Sequence, residues 1–251
     1  MALYIVQNNS NQQHTLPNLK FMILFPCLLL GIAIFFEYSG FDIWLVSHFY
    51  DFENHIWPYK HHWLFDTVIH SGGQLLDKFF VLAWLFTFIM ANCKTKLFHY
   101  RKVLLFFLSA CAVGPILIGI GKSITHIYTP WDLSFFDGEH PYIRLFDTVS
   151  SNLPIGHAFP AGHSSGGYCF VSLYFVLHQT RHQYRNYGLL IGLFLGIIFG
   201  VGQQIRGAHF PSHDIFTLVI CWYSSMLIYF QFYRKGTNKG HEGTNKGARM
   251  K

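Results

Sequence analysis

Charge is what this sequence has least of. Only 12% of its 251 residues are Asp, Glu, Lys or Arg, about half the ~25% of an ordinary soluble domain. A soluble domain with a charged shell around an aqueous-folded core is therefore excluded. Cysteine is sparse and solitary. Cys27, Cys93, Cys111, Cys169 and Cys221 lie singly in or at the ends of apolar runs, with neither disulfide nor metal-ligand spacing. That excludes a disulfide framework and a zinc module, and leaves small apolar packing residues. Residues 1–18, rich in Asn and Gln, lack the basic start and small-residue cleavage site of a secretory signal, and read as a short polar cytoplasmic tail.

Apolar residues make up 51% of the chain and aromatics 19%, with 27 Phe alone, a composition suited to acyl chains and headgroups. Six apolar runs, at 21–36, 79–93, 103–121, 163–180, 186–205 and 215–233, have the length of spans or fall slightly short of it. The stretch 37–78 mixes Trp and Tyr with Asp and His and reads as helix lying in the membrane interface. Its His55, His61, His62 and His70 read as solvated side chains, not metal ligands. The expected fold is all-α: an integral membrane bundle of six transmembrane helices with an interfacial helical segment after the first span. Residues 19–233 form one membrane domain, and the basic, repetitive end 234–251 is expected to be disordered.

Six spans put both termini on one side. That side carries 13 of the 18 Lys and Arg, so it should be cytoplasmic. The opposite, external face then gathers Lys122, the start of the fourth span at His163, Arg206 and Asp214. A bacterial inner membrane suits this arrangement.

Two polar stretches face each other there. In 203–214, Arg206, His209, His213 and Asp214 are tied between two apolar runs. In 159–167, Gly162, His163, Ser164 and Ser165 open a helix whose unpaired N–H groups and small side chains suit an anion. With Lys122 and Arg206 alongside, the anion is best read as a phosphate, and the chemistry as phosphoryl transfer. One imidazole of the pair His209 and His163 has to be neutral to attack and the other protonated to donate. Asp214 is the nearest carboxylate to fix the tautomer of the attacking ring. His209 and His213 have i, i+4 metal spacing, but Pro211 between them argues against a regular helix. No metal and no cofactor is expected.

These residues resemble the type 2 phosphatidic acid phosphatase and haloperoxidase superfamily, in its integral membrane branch. That pattern runs from a Lys with Arg-Pro seven residues on, through Pro-Ser-Gly-His, to an Arg six residues before a His that Asp follows four later. The resemblance covers 103–232, and implies a helical bundle and metal-independent phosphate-ester hydrolysis through a phosphohistidine. It also implies Lys122 and the Gly162 backbone as phosphate binders, His163 as leaving-group acid and His209 as nucleophile. The sequence departs at Thr129, Ala161 and Gln203, which stand for Arg, Ser and Arg. Arg206, one turn beyond Gln203, replaces one lost cation, and Ser164 the lost hydroxyl. His213 stands at the expected Asp position with Asp214 one later, and Asp214 is favoured as the orienting group.

The expectation is a lipid-phosphate phosphatase whose partners are a phosphorylated lipid substrate and the surrounding membrane lipids, with no nucleic acid. A lipid phosphotransferase and a noncatalytic lipid-phosphate binder or transporter are the alternatives. The oligomeric state is left open.

Overall fold

The computed structural model describes residues 17–150 and 152–233. Most of the polar N-terminal segment and the whole of 234–251 lie outside the described residues. The fold is helical, and among the described residues there is no β-strand, only the isolated bridges Asp51–Ile56 and Leu133–His140.

Helix α1 (Leu19–Ser39) starts at Asn18, whose Oδ1 accepts from the N–H groups of Lys20 and Phe21 at 3.0 and 3.4 Å, a side-chain cap. It stops at Gly40, which turns the chain at φ +81, a conformation glycine adopts without a Cβ clash. The short α2 (Phe41–Ser47) and an irregular stretch follow. A π-helical segment, Leu64–Gly72, then feeds directly into α3 (Gly73–Cys93). The interfacial segment is therefore shorter than 37–78. Residues 64–78 belong to a 30-residue helix long and apolar enough to span: Asp66, His70 and Asp77 turn inward, while Leu75, Phe79, Leu82 and Phe86, at 4-3-4 spacing, are exposed.

α4 (Arg101–Ile124) carries Lys122 in its last turn. After a long loop come α5 (Gly162–Tyr168), a tightened 3₁₀ stretch at Cys169–Ser172, and α6 (Leu173–Thr180). α7 (Arg185–Ile205) and α8 (Pro211–Tyr233) complete the bundle.

Among the described residues, five helices are long and apolar enough to cross a membrane: Leu19–Ser39, Leu64–Cys93, Lys96–Ile124, His182–Ile205 and Pro211–Tyr233. The sixth expected span, 163–180, is helical but not a regular α-helix. Ser165, Cys169 and Ser172 turn their side chains onto the carbonyls three residues back, which competes with the α-helical ladder and favours tightening.

Packing explains that irregularity. Gly188, Gly192 and Gly196 of α7 recur every fourth residue and receive the backbone at Leu173, the backbone at Val171 and the ring of Tyr168. Such small-residue stripes let membrane helices approach backbone to backbone, where dispersion contacts hold them together. α8 runs through the centre, with Trp222 and Tyr229 fully buried among Phe106, Tyr168 and Phe175. Cys111, Cys169 and Cys221 are buried as small packing residues, whereas Cys27 and Cys93 lie on the outer surface of the bundle.

Candidate active site

The ends of α4, α5, α7 and α8 meet at one end of the bundle. Lys122 and Gly162 are in contact: a Cβ on Gly162 would stand 3.3 Å from Lys122 Nζ. Lys122 lies close enough to His209 and His163 for its charge to disfavour a proton on either imidazole. Among the described residues, no hydrogen bond or ion pair engages the Lys122 ammonium.

His209 sits in the α7–α8 loop, 6% exposed. The Ala158 carbonyl lies beside the rings of His209 and His213, whose Nδ1 atoms are both buried without a hydrogen-bond partner among the described residues. That carbonyl is held by a two-rung pairing of 156–158 against 125–127, Gly156 N to Thr125 O at 3.0 Å and Ala158 N to Ile127 O at 3.1 Å. A neutral imidazole carries a proton on one ring nitrogen and keeps a lone pair on the other. Burial, with Lys122, His213 and His163 adding to it, holds the His209 imidazole well below its usual range. It is neutral at neutral pH.

Asp214 is elsewhere. Its Oδ2 accepts from Gln204 Nε2 at 2.6 Å, and a Cβ on Gly200 would come within 2.7 Å of its Cγ. Among the described residues, no hydrogen bond joins Asp214 to His209. The two are separated by the helix start itself: Pro211 begins α8, so successive residues 213 and 214 point about 100° apart, one toward Ala158 and one toward α7. His213 is likewise a neighbour of His209 and not its partner, with ring centroids 6.0 Å apart.

Arg206 is almost wholly engaged with protein. Its Nη2 pairs with Asp66 at 2.7 Å, its Nε donates to the Lys60 carbonyl at 2.9 Å and its Nη1 to Gln203 Oε1 at 3.3 Å. Gln203 passes the chain on to His70 Nδ1 at 3.2 Å. The His70 ring lies flat on that of His163, with centroids 3.9 Å apart and planes 7° from parallel. His163 Nε2 donates to the His70 carbonyl at 3.1 Å.

Asp66 and His70 are therefore site residues that the sequence reading assigned to a solvated interface. The signal that finds them is the spacing Asp66, His70, Gly73, Asp77, a 4-3-4 stripe of polar and small residues. All four face inward, to Arg206, His163, Phe199 and Gly166 respectively. Asp42 was also missed. Fully buried, it accepts from the Ser212 N–H at 3.0 Å and from the Ser212 hydroxyl, so α2 caps α8 two residues after Phe210.

Thr129, where the resemblance expects Arg, bonds its own neighbour Asp132. The loop it opens is docked by Trp131 N on the Gly207 carbonyl at 3.1 Å, with the Lys60 ammonium 4.3 Å from the Trp131 ring centroid. Among the described residues, no group of three or more His, Cys, Asp or Glu is arranged to hold a metal ion.

No curated protein and no solved structure matches the sequence. The pattern of the PAP2 superfamily, however, matches residues 102–237, which include Lys122, Gly162, His163, Arg206 and His209. More than half of the chain carries the match, and the protein, a multi-pass helical membrane protein, belongs to the PAP2 superfamily.

Proposed function

We propose that the protein is a lipid-phosphate phosphatase that hydrolyses a phosphomonoester or diphosphate headgroup through a phosphohistidine on His209. Membership of the superfamily supports a phosphatase-type activity. The observation that carries the finer reading is the juxtaposition of the unengaged Lys122 ammonium, the Gly162 helix start and the neutral His209.

In this reading the Lys122 ammonium and the Gly162 N–H hold the nonbridging oxygens, with Ser164 behind them. The His209 lone pair attacks phosphorus. The P–O ester bond breaks, and the leaving oxygen takes a proton from His163. Water then attacks the phosphohistidine, His163 takes a proton from that water, the P–N bond breaks, and inorganic phosphate leaves. Asp214 with Gln204 fixes the α7–α8 junction that carries His209, and does not bond its ring. Arg206, neutralised by Asp66, adds less positive field than an unpaired guanidinium, and Lys122 bears most of the phosphate charge.

A headgroup at the outer leaflet of a bacterial inner membrane, with both termini cytoplasmic, suits a site built at helix ends at headgroup depth. Purified protein is tested for release of inorganic phosphate from phosphatidate, phosphatidylglycerol phosphate, polyprenyl diphosphate and lipid A, with and without chelator. Release from at least one, abolished in His209→Ala and unaffected by chelator, is expected. Transfer of the phosphate to a second lipid, or tight binding without turnover, overturns the hydrolase reading in favour of a phosphotransferase or a binder.

A further inference from the structure

The hydrogen bonds around His70 have a fixed direction. A guanidinium only donates, so Gln203 Oε1 is the acceptor for Arg206 at 3.3 Å, and the Gln203 amide nitrogen points at His70 Nδ1 at 3.2 Å. An amide nitrogen also only donates. His70 Nδ1 therefore keeps its lone pair, and the proton of the neutral ring is on Nε2. The His70 carbonyl in turn accepts from His163 Nε2 at 3.1 Å, so Nδ1 is the nitrogen on which His163 gains and loses its second proton. Charging His70 would point an N–H at the Gln203 amide nitrogen and set two cations face to face at 3.9 Å.

We propose that His70 is a positioning residue for the proton donor: held neutral by Gln203, it fixes the plane of His163 and leaves the added positive charge to His163 alone. The inference rests on His163 acting as the leaving-group acid. The charged groups facing the pair are Asp66 and Arg206 for His70, and Arg206 and Lys122 for His163. Arg206 and Asp66 form an ion pair, so the balance of the cluster turns on which imidazole takes the proton.

The same directionality accounts for the amide at position 203, where the resemblance expects an arginine. An arginine there could donate to His70 but could not accept from Arg206, and the chain from Asp66 to His163 would break.

Gln203→Glu reverses the polarity at one atom. Its carboxylate accepts from Arg206 and also from a protonated His70, so a cation forms on the face of His163. In full-length protein in lipid nanodiscs, NMR titration of the His163 imidazole should then move to lower pH by about one unit. The alkaline limb of kcat should move with it, a roughly tenfold loss on that limb. His70→Phe keeps the flat ring and the backbone carbonyl but cannot titrate. The double variant Gln203→Glu, His70→Phe should therefore lose the downward shift, since the added carboxylate alone can only raise the titration of His163.

A Gln203→Glu shift that persists with Phe at position 70, or no shift in His163, overturns the proposal. The titration is read without turnover. If the wild-type protein releases no phosphate, the phosphatase reading falls, while the coupling of His70 to His163 is still decided by the NMR result.

Discussion

The Lys122 ammonium and Gly162 are packed so closely that a single added methyl would come within 3.3 Å of Nζ. This contact joins the end of α4 to the start of α5, and in the proposed reading it is where a phosphate would bind. Gly162→Ala should therefore crowd the bound phosphate more than it disturbs the fold. A roughly tenfold loss of kcat/KM is expected with little change in thermal unfolding. Lys122→Met should cost about 10²–10³ in kcat, the usual effect of removing a group aimed at developing charge.

The helix–helix contact at Gly167 is less forgiving. A Cβ there would lie within 2.6 Å of the Gly196 Cα, and backbone cannot swing away as a side chain does. Gly167→Ala should destabilise the protein by about 1–3 kcal/mol, the usual cost of overpacking. Thermal unfolding in one detergent, compared with the exposed control Ile197→Ala, measures it. Equal stability of the two would contradict the close packing of α5 on α7.

The remote cap should be needed for both stability and turnover. Asp42→Ala leaves the Ser212 N–H at the start of α8 without its acceptor. A loss of about 1–2 kcal/mol and a several-fold fall in kcat are expected, since His209 lies just before that helix start. Burial pushes the Asp42 carboxyl from its usual 3.8 up to about 6. Its charge is thus disfavoured in the fold, and its contribution to stability declines as pH rises through that window. Asp42→Asn, which keeps an acceptor, should be the milder change and should flatten that part of the profile.

Activity should persist on the acid side. Because His209 is held below the usual 6.5 of an imidazole, its lone pair remains available as pH falls through that value. kcat/KM should stay level there, where a nucleophile of ordinary pKa would lose about tenfold by pH 5.5. The sign for stability is opposite. The unfolded chain takes up the proton first, so the contribution of neutral His209 is present above 6.5 and is lost as pH falls below it. An acid limb beginning at 6.5 would remove His209 from the nucleophile's role.

The sequence is a good guide to this molecule where a pattern is local and a poor one where it is relayed. Long apolar runs predict α1, α4, α7 and α8 because span length is set by the membrane, and Lys122, Gly162, His163 and His209 are found from motifs at helix ends. The tightening within 162–180 depends on glycines of α7, twenty or so residues away, so periodicity within the run does not report it. Asp66, His70 and Asp42 were missed because mixed composition in 37–78 hides one helix face. Only a partner helix shows which polar residues point inward. Asp214 illustrates the same limit: nearness in sequence suggested a bond to His209, but a helix start between them turns the carboxylate toward Gln204.

The most direct test of the account is to trap the covalent intermediate. Wild-type protein is quenched in denaturant during turnover of a ³²P-labelled lipid phosphate, and the label is mapped by peptide. The account predicts acid-labile, alkali-stable phosphate on the peptide containing His209, and none in His209→Ala. Steady phosphate release with no trapped label, or label that survives the loss of His209, would contradict it.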